Sequence, residues 1–245
     1  ETLVAEHEDI KDLGQTVTVP NVITDAYDKT TGKKNTLAAE DQVVIDKISY
    51  DKLIAGKAYE VSGEVKIKDE DAENFDDAET VPSVIVAATG NGIITFDDEK
   101  VTFTPYGTEG EIVSGELIVS FKVDGSYLAG EEIVVGETVK YKGKKVAVHR
   151  DINDDRQTDY VPDGKTTAID KETGIKNTLA AENRVFKDTF EYTNLLPGET
   201  YRFTGKVMVT KTDEEGNPVV DADGKTVVEE IPSFMTDENG NPVPN

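Results

Sequence analysis

DKTTGKKNTLAAEDQVVIDKISYDKLIAGKAYEVSGEV, Asp28 to Val65, is written a second time as DKETGIKNTLAAENRVFKDTFEYTNLLPGETYRFTGKV, Asp170 to Val207. The two copies lie over each other without a gap at an offset of 142, so that Thr31, Gly32, Asn35, Asp46, Tyr50, Leu53, Gly56, Tyr59 and Gly63 meet Thr173, Gly174, Asn177, Asp188, Tyr192, Leu195, Gly198, Tyr201 and Gly205. The same offset carries a shorter polar stretch. His7, Asp9, Ile10, Asp12, Gln15 and Thr16 of HEDIKDLGQT are followed by His149, Asp151, Ile152, Asp154, Gln157 and Thr158 of HRDINDDRQT. A period of this length is one domain, not one turn of a solenoid. The chain is therefore expected to sample a tandem array out of phase: 1–18 end one unit, 19–160 make a whole unit, and 161–245 begin a third, all part of a longer protein.

Within a unit the patterns are short and strand-like. KAYEVSGEVKI, SVIVAA, KVTFTP, GELIVSFKV, EIVVGETVKY and KKVAVH are rich in Val, Ile, Tyr, Phe and Thr, and several alternate apolar with polar. Turn signals stand between them: TTGKK, ATGNG, VDGS and YKGK, then EEGNP and ADGK further on. Only LAAED and YDKLIAG hint at a helical turn. Many short strands in a unit of this size predict an all-β fold, a tandem array of immunoglobulin-like antiparallel β-sandwiches.

Composition narrows the partners. A chain of 245 residues with 36% hydrophobic residues can bury a core. Its net charge of −24 argues against nucleic acid and anionic membrane surfaces, both of which are bound through Lys and Arg. With no Cys there is neither disulfide nor thiolate nucleophile. No run approaches the roughly 20 apolar residues of a membrane span, and ETLVAEHEDI has neither the basic start nor the apolar core of a signal peptide.

The repeated polar stretch HRDINDDRQTDY, His149–Tyr160, admits several readings. The plainest is an edge strand or linker duplicated with its unit. A calcium loop would use Asp151, Asn153 and Asp155, but Arg156 stands where an EF-hand needs Gly and Pro162 where it needs Glu. A zinc protease would need a second His after HEDIK, and no GxSxG frames a Ser for hydrolysis. In one straight strand His149 and Gln157 would be roughly 26 Å apart. They can cooperate only if INDD turns the chain, as Asn and Asp favour.

These residues carry a resemblance. The pattern is similar to the Thr-Gln ester-bond domain, or VaFE-type repeat, found in tandem in cell-wall-anchored adhesins of Gram-positive bacteria. GKTTAIDKETG (164–174) is close to its opening; in the middle unit the match is VITDAYDKTTG, with Thr24 at the first Thr position and Asp25 replacing the second. YTNLLPGETYRFTG (192–205) and, less closely, YDKLIAGKAYEVSG (50–63) match its central stretch. VVGE (134–137) keeps Glu137 but has Gly136 where the family has Phe, which leaves the local packing to be explained. His149, Asp151, Asp154, Gln157 and Thr158 give its closing motif.

The resemblance implies an intramolecular ester between the Thr24 hydroxyl and the Gln157 side chain, formed with loss of ammonia and without metal or cofactor. His149 would take the hydroxyl proton, and Glu137 and Asp154 would share a proton that polarises the amide and helps ammonia leave. A second reading leaves these acids the lesser task of orienting His149. Glu1, His7, Asp12 and Gln15 are then the end of a unit without its Thr, and Thr166 opens a unit without its acid, base and acceptor. The third unit is expected to leave Tyr201, Phe203, Val207 and Val209 uncovered. Functionally the resemblance implies a structural stalk module of an extracellular, cell-wall-anchored adhesin, cross-linked once and not an enzyme with turnover. Its partners would be neighbouring repeats of the same chain, with a host ligand bound elsewhere in the parent protein. The alternative is a ligand-binding adhesin module for a host protein or glycan.

Overall fold

The computed structural model describes residues 17–69, 71–178, 180–237, 239 and 241–243. Among them the only helix is a short 3-10 turn, Phe75–Asp77; the rest of the regular structure is strand. The chain divides into two compact units at Pro197/Gly198.

In the first unit β1 (Asn21–Asp28), β2 (Gln42–Ile54), β8 (Ile112–Val123) and β5 (Ser83–Gly90) form one antiparallel sheet, in the order β1-β2-β8-β5. A second sheet runs β10 (Lys144–His149), β9 (Glu132–Tyr141), β3 (Tyr59–Ile67), β7 (Val101–Pro105) and β6 (Gly92–Phe96). β11 (Thr158–Tyr160) adds to β9, and β4 (Thr80–Val81) to β3. Strand alternation explains the layering. β1 buries every second residue, Val22, Thr24, Ala26 and Asp28, and β2 does the same with Val44, Asp46, Ile48 and Tyr50. Their apolar members pack with Val61, Val65, Val101, Phe103, Val135 and Val139 of the second sheet in one core, which makes the unit a β-sandwich.

The closest packing falls where side chains are missing. A Cβ on Gly63 would lie 2.3 Å from the Phe121 ring, so the glycine of the YxxxG stretch is the space that ring occupies. A Cβ on Gly136 would lie 2.6 Å from the ring of Phe75, which is itself buried. The aromatic that position 136 lacks is thus supplied from the 3-10 turn, with the Arg150 guanidinium 4.7 Å above the same ring.

The helical hints do not hold. Tyr50–Ile54 belongs to β2, where a bulge between Tyr50 and Leu53 places Lys52 at φ 62°. No helix covers LAAED.

The offset of 142 reappears in three dimensions. β12 (Asp163–Asp170) pairs with β13 (Phe186–Thr193), and Thr166 faces Phe190 as Thr24 faces Ile48. The turns match too: Asp28 Oδ1 accepts from the amides of Thr30 and Thr31, and Asp170 Oδ1 from those of Glu172 and Thr173. The second compact unit holds the hairpin of β14 (Val207–Thr210) and β15 (Val228–Ile231). There Phe203 and Val209 are exposed, and Tyr201 and Val207 half-buried.

Candidate functional site

β1 is the edge of the first sheet and β10 that of the second. They meet at one seam of the sandwich. After β10 the Asp-rich stretch turns: the amide of Asp154 donates to Asp151 O, and that of Gln157 to Asp154 O. The chain then returns along β9, with Thr158 facing Val134 and the Val135 amide donating to Gln157 O at 3.0 Å. His149 thereby stands between Gln157, whose Nε2 donates to His149 O, and Thr24, which meets the His149 ring. The turn is tied to β1 by the Ala26 amide donating to Arg156 O, 2.8 Å, and by Lys34 Nζ, which binds Asp25 and the carbonyls of Ala26 and Arg156.

Thr24 Oγ1 lies 2.9 Å from His149 Nδ1, and the Thr24 amide donates to the same nitrogen at 3.2 Å. An amide N–H can only donate, so Nδ1 carries the lone pair and the ring proton sits on Nε2. Nε2 faces Asp154 Oδ2 at 3.0 Å. Burial holds the imidazole pKa below its ordinary value, with Asp154 opposing. His149 is thus a neutral base with its free nitrogen aimed at the hydroxyl.

Gln157 is fully buried. Its Nε2 donates to Val135 O, to His149 O at 3.2 Å and towards Glu137 Oε2 at 3.2 Å; its Oε1 faces the Asp151 amide at 3.4 Å. The carboxamide is fixed on both sides.

Glu137 faces another carboxyl, but it is not that of Asp154. Asp154 is engaged by the His149 ring, by the Arg156 guanidinium and by the Arg156 amide, and its pKa lies below the ordinary value. The expected Glu137–Asp154 pair is therefore replaced by Glu137–Asp46. Both are wholly buried, and Glu137 Oε1 and both Asp46 oxygens lack a conventional donor. Neighbouring carboxyls buried there cannot both ionise, so one of the two keeps a proton. Burial pushes Asp46 up to about 6, with the Glu137 hydrogen bond and Lys34 opposing. Burial, then the Asp46 charge, raises Glu137 well above the carboxylate range. Asp46 was recognisable in the sequence as a repeated Asp, matched by Asp188, in the apolar phase of an alternating strand.

Thr166 lies on β12 opposite Phe190, and Ala168 faces Asp188 as Ala26 faces Asp46. Glu1, His7, Asp12 and Gln15 fall outside the described residues.

The family model of the T-Q ester bond containing domain matches residues 1–19, 20–161 and 163–241. No curated protein matches the chain. Among solved structures, a bacterial adhesin from Mobiluncus mulieris containing intramolecular disulfide, isopeptide and ester bond cross-links is 13% identical, over 72% of this chain and 76% of that one, with a TM-score of 0.36. The pilus backbone RrgB from Streptococcus pneumoniae is 13% identical, over 85% and 92%, with a TM-score of 0.26. Overlaps this loose carry no argument about this chain.

Proposed function

The chain belongs to the T-Q ester bond containing domain family, and from that premise we propose that Thr24 and Gln157 are joined in a self-catalysed ester that makes the middle unit a stalk module of an extracellular bacterial surface protein. The observation that carries the reading is the 2.9 Å approach of Thr24 Oγ1 to an unprotonated His149 nitrogen, beside a fully buried Gln157.

His149 Nδ1 takes the hydroxyl proton as Thr24 Oγ1 attacks Gln157 Cδ. Asp154 holds the ring and stabilises the imidazolium. Negative charge developing on Gln157 Oε1 faces the Asp151 amide. The proton kept by the Glu137–Asp46 pair passes to Nε2, the C–N bond breaks, and ammonia leaves. Exchange of one proton with solvent then restores neutral His149 and the protonated acid pair. Each group acts once per chain, so no external substrate is turned over. Folding supplies the rate, since fixing hydroxyl and amide together is equivalent to roughly 10⁵ M or more of reactant, and burial keeps water from the product.

The bond would run from the first strand of one sheet to the turn that leads into β11, the strand added last to the other, closing nearly the whole unit. Load entering near residue 19 and leaving near residue 160 would cross it instead of the hydrogen-bonded ladders. The acidic surface keeps such repeats soluble, with ligand binding left to another part of the parent protein. Pulling the chain from its ends tests this. The wild-type middle unit should release no length between Thr24 and Gln157, whereas Thr24→Val should release about 450 Å for some 130 residues. Full extension of the wild type would contradict the proposal.

A further inference from the structure

The start of the third segment meets the middle unit at Asn194. Asn194 Nδ2 donates to Gly130 O at 2.8 Å, Glu131 O at 3.0 Å and Val161 O at 3.3 Å. Those acceptors are prearranged: the Gly130 amide donates to Val161 O and the Val161 amide to Glu131 O, leaving each carbonyl a second lone pair. Asn35 Nδ2 closes the contact from the other side, donating to Asn194 O at 3.0 Å and to Tyr160 O at 3.2 Å.

Asn194 reaches the carbonyls because its backbone is left-handed, at φ 56°, just after β13. Asn tolerates that conformation better than most residues. The equivalent residue of the middle unit, Lys52, shares the left-handed backbone at φ 62°, and its ammonium faces Asp51 Oδ2 at 3.6 Å. Gly130, Glu131 and Asn35 lie in the segment matched at 20–161, and Asn194 in that matched at 163–241.

We infer that the carbonyls of Gly130, Glu131 and Val161 form a docking nest for the next repeat, whose donor at the Asn194 position locks the angle of the joint. The inference rests on reading the segments matched at 20–161 and 163–241 as separate repeats, but it is independent of the ester. A chain of such joints transmits orientation as well as tension. It also explains why a linker as short as Val161–Pro162 need not act as a free hinge.

The absence of cysteine permits a clean test. Spin labels on Lys145→Cys and Lys187→Cys, exposed on β10 and β13, report the joint by pulsed dipolar distances. The otherwise wild-type chain should give a narrow distribution. Asn194→Ala and Asn194→Asp, the latter turning a donor into a carboxylate against three carbonyls, should each widen it at least twofold. Ammonia loss from the middle unit, followed by mass in the same samples, should be the same in all of them, which separates loss of the joint from loss of the fold or of the ester. An unchanged width in both variants, or a parent chain already as broad, would overturn the inference.

Discussion

Thr24 Oγ1 and His149 Nδ1 lie 2.9 Å apart although 125 residues separate them. Two edge strands of different sheets make that meeting possible. Since the imidazole pKa is held below its ordinary value of 6.5 by burial, the base is already free in mildly acidic solution. The rate of ester formation, followed by mass after refolding, should climb to its plateau with a midpoint below pH 6.5. His149→Ala should slow the reaction by about 10²-fold or more while leaving the circular dichroism of the fold unchanged. Wild-type kinetics in that variant would remove His149 from the mechanism.

The acid pair sets the other limb. Glu137, raised well above the carboxylate range by burial and Asp46, must be protonated to help ammonia leave. Formation should therefore slow again in alkaline solution, and the profile should be bell-shaped with an upper midpoint belonging to the pair. Asp46→Ala should lower the plateau rate and bring the upper limb to lower pH, because Glu137 loses the charge that raises it. Asp154→Asn should instead act on the lower limb, through His149. A variant of Asp46 with an unaltered profile would mean that Glu137 needs no partner.

A third buried acid bears on stability. Asp159 is wholly inaccessible, neither oxygen has a partner, and burial pushes it up to about 7 against the pull of Lys34. In the unfolded chain it titrates near the ordinary 3.8. Between these values the folded state keeps a proton the unfolded state has lost, so this group's contribution falls as pH rises through that window. Asp46 acts in the same direction. Asp159→Asn should raise Tm at about pH 8 and change it little at about pH 3, where the carboxyl is neutral in the fold and mostly so in the unfolded chain. An equal shift at both would show that charge is not the cause.

Thr24→Val keeps the shape of the side chain and removes the nucleophile. Opening a loop of some 130 residues should cost roughly 5 kcal/mol of stability on the chain-entropy account. Gln157→Ala should cost more, because it also empties a fully buried site. Chemical denaturation of the two variants against wild type measures both differences; equal stability of Thr24→Val and wild type would mean that no loop is closed.

The strands β3, β5, β7, β8, β9 and β10 were legible because their runs are rich in β-branched and aromatic residues and several alternate apolar with polar, and the turns because Gly and Asp stand where the chain reverses. YDKLI read as a possible helical turn since a bulge at Lys52 breaks the two-residue period that would have marked it as strand. At the site, Thr24, His149 and Gln157 could be named from the two ends of the repeat. The partner of Glu137 could not. Asp46 and Asp154 are both acidic and both repeated, and spacing along the chain does not say which of them lies on β2 behind β1. Register decides it: Ala26 faces Asp46, one inward step from Thr24. The carbonyl nest for Asn194 leaves no trace in side-chain identity, being made of backbone.

The central claim is a covalent bond between two particular residues, and intact mass followed by peptide mapping of the whole chain tests it most directly. The account predicts a mass short of the sequence by one ammonia for the Thr24–Gln157 bond, and a digest in which the peptides of Thr24 and Gln157 run as one species. A chain at its full sequence mass, with those peptides separate, would contradict it.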